Sequence, residues 1–159
     1  MVRLVGMDCV GEITELVNLY EVQGKMIGSC VMRLTKEQQA QFDTEGWVLL
    51  PDLFRPEEID VLKGELPKIF AMHREEVWRE KDGEAVRTAF AAHTYNEAFS
   101  RLGRHPRLIG PVMQLLGGPV YMHQYKINGK AAFNGDVWQW HQDYGVWARD
   151  DKMPEARAM

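Results

Sequence analysis

Two residues near the end of the sequence have the types and spacing of metal ligands. His141 and Asp143 stand two positions apart in the run Trp-His-Gln-Asp at 140–143. Residues i and i+2 of a β-strand point to the same side, so an extended backbone would present the imidazole and the carboxylate together. Such a pair supplies two thirds of a 2-His-1-carboxylate site, which suits Fe(II) and leaves coordination positions open. By itself the spacing is a weak signal, because a surface histidine near an aspartate also produces it.

Aromatic side chains surround this pair. Four of the ten Trp and Tyr residues fall within ten positions, namely Trp138, Trp140, Tyr144 and Trp147. Aromatic walls with a few polar groups are typical of a small-molecule pocket. The same residues also pack the cores of sheets, because tryptophan buries a large area anywhere. The residues alone leave both interpretations open.

A second polar set lies upstream, where polarity alternates with period two from Val120 to Asn128. Alternation predicts a strand with Gln124, Lys126 and Asn128 on one face, opposite Tyr121, His123, Tyr125 and Ile127. A polar face on a strand lines a pocket that holds a dicarboxylate, or it is the solvated side of an antiparallel sheet.

The elements before this strand are predicted to be mostly helical. Thr35 and Gln38 form a capping-box pattern, which predicts a helix to about Glu45. The run Trp47-Val-Leu-Leu50 predicts a short buried strand. Pro56 suits the first position of a second helix, whose apolar stripe is Ile59, Leu62, Leu66, Ile69 and Phe70, and Pro67 should kink or restart it.

The second half begins with Val86 to Ala92, which can be extended. The pattern Thr94-Tyr-Asn-Glu97 predicts a second capping box and a short helix, and His105-Pro106 opens another helix that closes at Gly117-Gly118. Strands at Val120 to Asn128 and Asp136 to Asp143 follow. Helices that feed into strands predict an α+β fold, in which helices buttress one side of an antiparallel sheet.

Composition and charge exclude several classes of protein. The chain has 159 residues, 45% of them hydrophobic, with a formal net charge of -4 and a pI near 5.7, so a nucleic-acid or anionic-membrane partner is not expected. No apolar run approaches the roughly 20 residues of a membrane span, and we expect a cytoplasmic protein. Cys9 and Cys30 are expected to be ordinary free thiols, because they form neither a disulfide framework nor a zinc motif.

Both ends of the sequence carry weaker patterns. Residues 1–31 show no clean periodicity and are interpreted as an uncertain N-terminal extension, with a short helix possible at Glu12 to Tyr20. The predicted sheet is unfinished, because two or three strands cannot hide both faces or close an edge. A further strand is predicted to start at Arg157-Ala-Met159, so we expect the chain to be truncated at its C-terminus.

Several separate segments together resemble one family. They run from Val86 to His93, from His105 to Gly117, from His123 to Phe133, and through Gly135-Asp-Val-Trp-Gln-Trp-His-Gln-Asp-Tyr144. This order resembles the phytanoyl-CoA dioxygenase superfamily, and within it the ectoine hydroxylases and free amino acid (leucine-type) hydroxylases. The similarity covers about Leu34 to Met159, so residues 32–159 are interpreted as the N-terminal part of an Fe(II)/2-oxoglutarate dioxygenase domain.

The resemblance implies a fold, cofactors and roles. It implies N-terminal helices on an incomplete double-stranded β-helix (jelly-roll, cupin-like) core, with Fe(II), 2-oxoglutarate as cosubstrate, and O2. The positions of this chain that match functional positions of the family are His141 and Asp143 as metal ligands, Gln124, Asn128 and Phe90 at the cosubstrate, and Gln124, Tyr144 and Trp147 at the substrate. Trp138 also aligns with a pocket aromatic, but alternation turns it away from His141.

The sequence departs from the family pattern in two respects. Lys152 stands where glycine is usual, in a turn that needs a positive φ. The distal histidine ligand and the arginine for 2-oxoglutarate are expected beyond residue 159. None of the four upstream histidines, His73, His93, His105 and His123, fits the pattern of that distal ligand.

Three functional hypotheses follow. The first is a hydroxylase of a small zwitterionic metabolite, a free amino acid or an ectoine-like compound, with no nucleic-acid or membrane partner and an oligomeric state that the sequence does not indicate. The second is an inactive fragment or a binding protein on the same scaffold. The third is a cupin-like isomerase or metal-dependent hydrolase, which is disfavoured because no second histidine motif clusters with the first.

Overall fold

A four-stranded antiparallel sheet and five α-helices make up the described structure. The computed structural model describes residues 32–81, 83–133, 135, 137 and 139–156, together with the backbone of 2–6. The predictions for Cys9, Cys30, the helix at 12–20, Trp138 and the strand start at 157–159 fall outside these residues. Helix α1 spans Lys36–Glu45, α2 spans Pro56–Phe70, α3 spans Glu97–Gly103, α4 spans Pro106–Leu116 and α5 spans Asp143–Asp150.

The sheet has the strand order β1-β4-β3-β2. Strand β1 spans Val2–Gly6, β2 spans Val77–Arg79, β3 spans Val86–Phe90 and β4 spans Val120–Asn128, and each neighbouring pair is antiparallel. The edge strand β1 lies in the segment that was interpreted as an extension, and its pairing with β4 was not predicted. The register opposite β1 skips His123, so this residue is the extra one of a β-bulge in β4.

Helices α2 and α3 cover one face of the sheet. The core there combines Ile69 of α2, Phe99 of α3, Ala89 of β3 and Tyr125 of β4, all of them buried. These residues come from elements that are distant in sequence, and removing their apolar surface from water is the main stabilising contribution. The observed fold is therefore α+β, with helices packed on one side of an antiparallel sheet, as the sequence predicted.

Several local signals are confirmed. Thr35 accepts a hydrogen bond from the Gln38 backbone N–H, and the Gln38 side chain accepts one from the Thr35 backbone, so the predicted capping box begins α1. Helix α4 begins after His105 and ends at Gly117, which has a φ of 75°. Helix α2 passes through Pro67 to Phe70 without restarting.

Two predictions in the first half are wrong. Trp47 to Leu50 forms no strand, and Trp47 and Leu49 are 55% and 70% exposed. A short apolar run becomes a strand only where a neighbour completes its hydrogen bonds, and none of the described strands pairs with this segment. Thr94 does not cap α3. Asn96 does so by accepting from the Phe99 N–H, while Thr94 ends a 3-10 turn at Ala92–Thr94.

The predicted strand from Asp136 to Asp143 is also wrong. Residues 139–142 have no regular structure, and Asp143 is the first residue of helix α5. The acidic side chain suits the positive end of a helix, and Tyr144 and Trp147 have the spacing of one helical face. None of the described helices is both long enough and apolar enough to cross a membrane.

Candidate metal centre

The imidazole of His141 and the carboxylate of Asp143 lie side by side where an irregular segment meets α5. The Nε2 atom of His141 is 3.4 Å from Oδ1 of Asp143. The other ring nitrogen, Nδ1, is 2.6 Å from the carbonyl oxygen of Gln139. That carbonyl is an acceptor, so Nδ1 carries the hydrogen that it donates to Gln139, and Nε2 is the ring nitrogen that faces Asp143.

These donors fit a divalent metal ion. Two ligands in neighbouring positions of one ion, each at the usual bond length, stand about 3 Å apart. The observed 3.4 Å between Nε2 and Oδ1 is close to that separation. A histidine ligand commonly donates its second N–H to a carbonyl, which sets the ring orientation. Among the described residues no group of three or more His, Cys, Asp or Glu side chains gathers around a common point, so the pair is seen there without a third ligand.

Gln124 carries a buried acceptor atom that is available to a ligand. Its side-chain oxygen Oε1 is buried and, within the part of the chain that the structure describes, has no hydrogen-bond partner. A buried carbonyl oxygen without a donor costs free energy, because it has given up its hydrogen bonds to water. The position of Gln124 in β4 therefore offers an acceptor to a group with an N–H or O–H.

Asn128 at the end of β4 is held in one orientation. The hydroxyl of Thr88, which is buried at the paired position of β3, donates to Oδ1 of Asn128 over 3.0 Å. The amide nitrogen of Asn128 then serves as the donor side and suits an anion such as a carboxylate. At the next residue, Gly129, a Cβ would lie 2.5 Å from the carbonyl oxygen of Val86, so only glycine permits this close approach.

Phe90 lies beside the polar residues on the same sheet. It pairs with Lys126 across β3 and β4, and the ammonium of Lys126 lies 5.7 Å from the centre of the Phe90 ring. Trp78 of β2 contacts the other side of Phe90 edge to face, with ring centres 4.9 Å apart. The register thus brings the predicted residues Phe90 and Asn128 to adjacent strands, with an aromatic wall next to polar groups.

Tyr144 and Trp147 belong to a small second core around α5. Trp147 is only 6% exposed and packs with Met153 and Tyr144. Its ring contacts His123 of β4 edge to face at 5.3 Å. The Tyr144 hydroxyl donates to the carbonyl of Pro154 over 3.2 Å. Both side chains therefore support the segment after the candidate metal-ligand pair, whereas the family resemblance implies a substrate role for them.

Two further titratable groups, His93 and Tyr125, lie on the helix-covered side of the sheet. His93 stacks on Tyr125 with ring centres 4.9 Å apart. Burial lowers the pKa of the His93 imidazole and raises the pKa of the Tyr125 hydroxyl, because both charged forms lose hydration. We therefore treat this pair as part of the core and assign it no ligand role.

Comparison with known proteins identifies the family. The sequence profile described as "Phytanoyl-CoA dioxygenase (PhyH)" matches residues 42–158, which is most of the chain. The chain belongs to the phytanoyl-CoA dioxygenase family.

Curated relatives of the chain are named for the small molecules on which they act. The chain is 37% identical over 117 residues to an L-proline trans-4-hydroxylase of Streptomyces griseoviridis, covering 74% of this chain and 44% of that protein. It is 35% identical over 130 residues to an ectoine dioxygenase of Halomonas elongata, covering 79% of this chain and 39% of that protein. The chain thus spans less than half the length of these curated relatives.

Solved structures of a similar protein agree with the fold. EctD from S. alaskensis with 2-oxoglutarate and 5-hydroxyectoine superposes with a TM-score of 0.74 at 30% identity, covering 78% of this chain and 45% of that one. The same protein with bound Fe gives a TM-score of 0.73 over 78% of this chain and 46% of that one, also at 30% identity.

Three contributors to the site were missed by sequence reasoning. They are Thr88, which orients Asn128, the carbonyl of Gln139, which orients His141, and His123, which contacts α5. From the sequence, His123 was placed on the face of β4 opposite Gln124 and rejected as the distal ligand. Asp143 and Trp147 are four positions apart, a spacing that would have indicated a shared helix face had the segment been predicted as helical.

Proposed function

We propose that the protein is a non-haem Fe(II)/2-oxoglutarate-dependent hydroxylase of a small zwitterionic metabolite, in which this chain supplies His141 and Asp143 as two of three metal ligands. The observation that carries the proposal is the 3.4 Å approach of Nε2 to Oδ1, with Nδ1 of the same ring held by a backbone carbonyl. Family membership and relatives that act on proline and ectoine support it.

The cosubstrate would lie against β3 and β4. Asn128 would donate to a carboxylate of 2-oxoglutarate, because Thr88 already occupies its amide oxygen. Phe90 would pack on the aliphatic part of the cosubstrate, and Gln124 would help to place it while also contacting the substrate. When bound, Fe(II) and 2-oxoglutarate with O2 supply the oxidising chemistry that hydroxylates a C–H bond, with release of succinate and CO2.

The substrate class is argued from Gln124 and the aromatic residues. The oxygen Oε1 of Gln124, which has no partner among the described residues, would accept a hydrogen bond from the ammonium or amidine N–H of a zwitterion. Tyr144 and Trp147 would close the substrate side with apolar surface. A free amino acid or an ectoine-like ring meets both requirements.

The proposal extends to the domain. Strands β2, β3 and β4 would belong to a double-stranded β-helix, and residues 32–159 would form the N-terminal part of that domain. The remaining strands and the third metal ligand would correspond to the portion of the longer relatives that this chain does not cover. The working location would be the cytoplasm, with a small molecule as the partner.

Anaerobic titration with Fe(II), or with Co(II) as an ion stable to air, tests the metal site. The wild-type chain should bind one ion in the presence of 2-oxoglutarate, and His141→Ala should weaken binding at least about a hundredfold, because one of two protein ligands is lost. His73→Ala is the matched control, since His73 is also exposed and lies outside the site. Equal affinity of the His141→Ala and wild-type chains would remove the central claim.

Turnover distinguishes the enzyme from a binding protein on the same scaffold. With Fe(II), 2-oxoglutarate and O2, succinate release should rise when L-proline or ectoine is added. Tight binding of metal and 2-oxoglutarate without any succinate would favour the binding protein for this chain. A chain that binds no metal would contradict both.

A further inference from the structure

Three side chains of helix α5 lie along one face. Asp143, Trp147 and Asp151 follow one another at intervals of four, and Asp151 is the C-cap of the helix. Residues i and i+4 of a helix lie on the same side, one turn apart. The face that bears the proposed metal ligand at one end therefore bears Trp147 in the middle and Asp151 at the other end.

Trp147 and Asp151 both contact one residue of the sheet, His123. The Nε2 atom of His123 lies 3.2 Å from Oδ2 of Asp151. The ring of His123 contacts Trp147 edge to face at 5.3 Å. His123 is itself only 16% exposed in its side chain, although it is the extra residue of the bulge in β4. Bulges re-aim side chains near functional sites.

We propose that His123 is a positioning residue, which acts with Asp151 and Trp147 as a clamp that docks α5 on β4 and thereby sets where Asp143 and His141 stand over the sheet. This inference rests on the proposed function, because it assigns the clamp to the proposed metal site. His123 follows Met122 and precedes Gln124 in β4, so the clamp ties the segment with the metal ligands to the strand with the proposed cosubstrate residues.

The ring and the hydrogen bond make separate contributions. The hydrogen bond between His123 and Asp151 fixes the end of α5 that lies opposite Asp143. It therefore determines the rotation of α5 about its own axis. The contact with Trp147 determines how closely the helix approaches the strand. Loss of the hydrogen bond alone should leave the helix formed but let its first turn move, which misplaces Asp143 relative to β4.

The test compares His123→Phe, Asp151→Ala, the double variant and His123→Gln. Phe keeps a ring against Trp147 and removes the hydrogen bond, whereas Gln places a side-chain N–H near the former Nε2. His123→Phe and Asp151→Ala should each raise the hydrogen exchange of the α5 amides about tenfold and lower Co(II) affinity by a similar factor. The double variant should be no weaker than either single one, because both remove one interaction.

Controls and outcomes separate the clamp from the metal site. His123→Gln should recover most of the Co(II) affinity. Asp150→Ala should behave like wild type, because Asp150 pairs with Arg149 in an exposed position. Unchanged exchange in both His123→Phe and Asp151→Ala, or additive losses in the double variant, would overturn the clamp. A wild-type chain that binds no Co(II) would contradict the proposed function, while the hydrogen exchange would still decide whether His123 and Asp151 hold α5.

Discussion

At the scale of single residues, Gln124 is the position where a group proposed to bind a ligand lowers the stability of the ligand-free protein. Its oxygen Oε1 is buried with no partner among the described residues. A buried acceptor in that state costs about 1 to 3 kcal/mol, and a ligand that donates to it removes the cost. Residues kept for binding often destabilise the protein without its ligand.

Gln124→Leu should therefore raise the free energy of unfolding of the ligand-free chain by about 1 kcal/mol and weaken binding of 2-oxoglutarate in the presence of Co(II). Urea unfolding and calorimetric titration measure the two effects. Gln114→Leu is a matched control with the opposite sign for stability, because Gln114 accepts from the Leu34 N–H and donates to the Leu34 carbonyl. A destabilised Gln124→Leu chain would contradict the account of this site.

At the scale of elements, the segment after α5 is closed by a strained turn. Lys152 has a φ of 57°, in the left-handed region that favours glycine, and its ammonium donates to the Arg149 carbonyl over 2.7 Å. A side chain in that region costs roughly 1 to 2 kcal/mol, and one exposed hydrogen bond returns less. The family pattern, in which glycine is usual at this position, implied a turn that needs positive φ.

Lys152→Gly should raise the free energy of unfolding by about 0.5 kcal/mol, since the relief of strain exceeds the lost hydrogen bond. Thermal unfolding measures the change. Lys152→Ala is the control, because it loses the same hydrogen bond and keeps a Cβ at positive φ, and it should be destabilised. Equal effects of the two substitutions would show that the conformation of the turn carries no strain.

At the scale of the whole molecule, Arg107 joins α4 to the start of α2. Its guanidinium donates to the Leu53 carbonyl over 2.6 Å and pairs with Glu58, and it lies 4.5 Å from the centre of the Phe54 ring. The hydrogen bond from Arg107 lowers the pKa of the Glu58 carboxyl to about 2. A carboxyl whose pKa is lower in the folded state stabilises the fold above its unfolded pKa, near 4.5.

This stabilisation should be lost as the pH falls from about 4.5 towards 2, because protonation removes the charge that Arg107 holds. In a series of thermal unfolding curves from pH 6 down through this range, Arg107→Met should lower the melting temperature at pH 6 and flatten its decline in acid. Arg101→Gln is the control, because Arg101 and Glu97 form an exposed ion pair that contributes little. A wild-type acid slope that persists in Arg107→Met would contradict the assignment.

Predictions from the sequence held where the interacting residues are close along the chain. The capping box of Thr35 and Gln38 and the glycine that ends α4 were readable, because each depends on a few neighbouring residues. The strand β4 was readable from its alternation. The strand predicted from Asp136 to Asp143 was wrong. Aromatic residues suit either a strand or a helix, and only the contact of Trp147 with His123 selects the helix face.

The sequence by itself determined the chemical groups of the candidate site and the local proximity of His141 to Asp143, because residues two apart stay close in almost any backbone. The separation that was argued from a strand is instead produced by an irregular segment entering α5. Only the tertiary structure decided what surrounds the pair. Thr88 reaches Asn128 across 40 positions and His123 reaches Asp151 across 28, contacts that exist only after the strands pair and α5 docks.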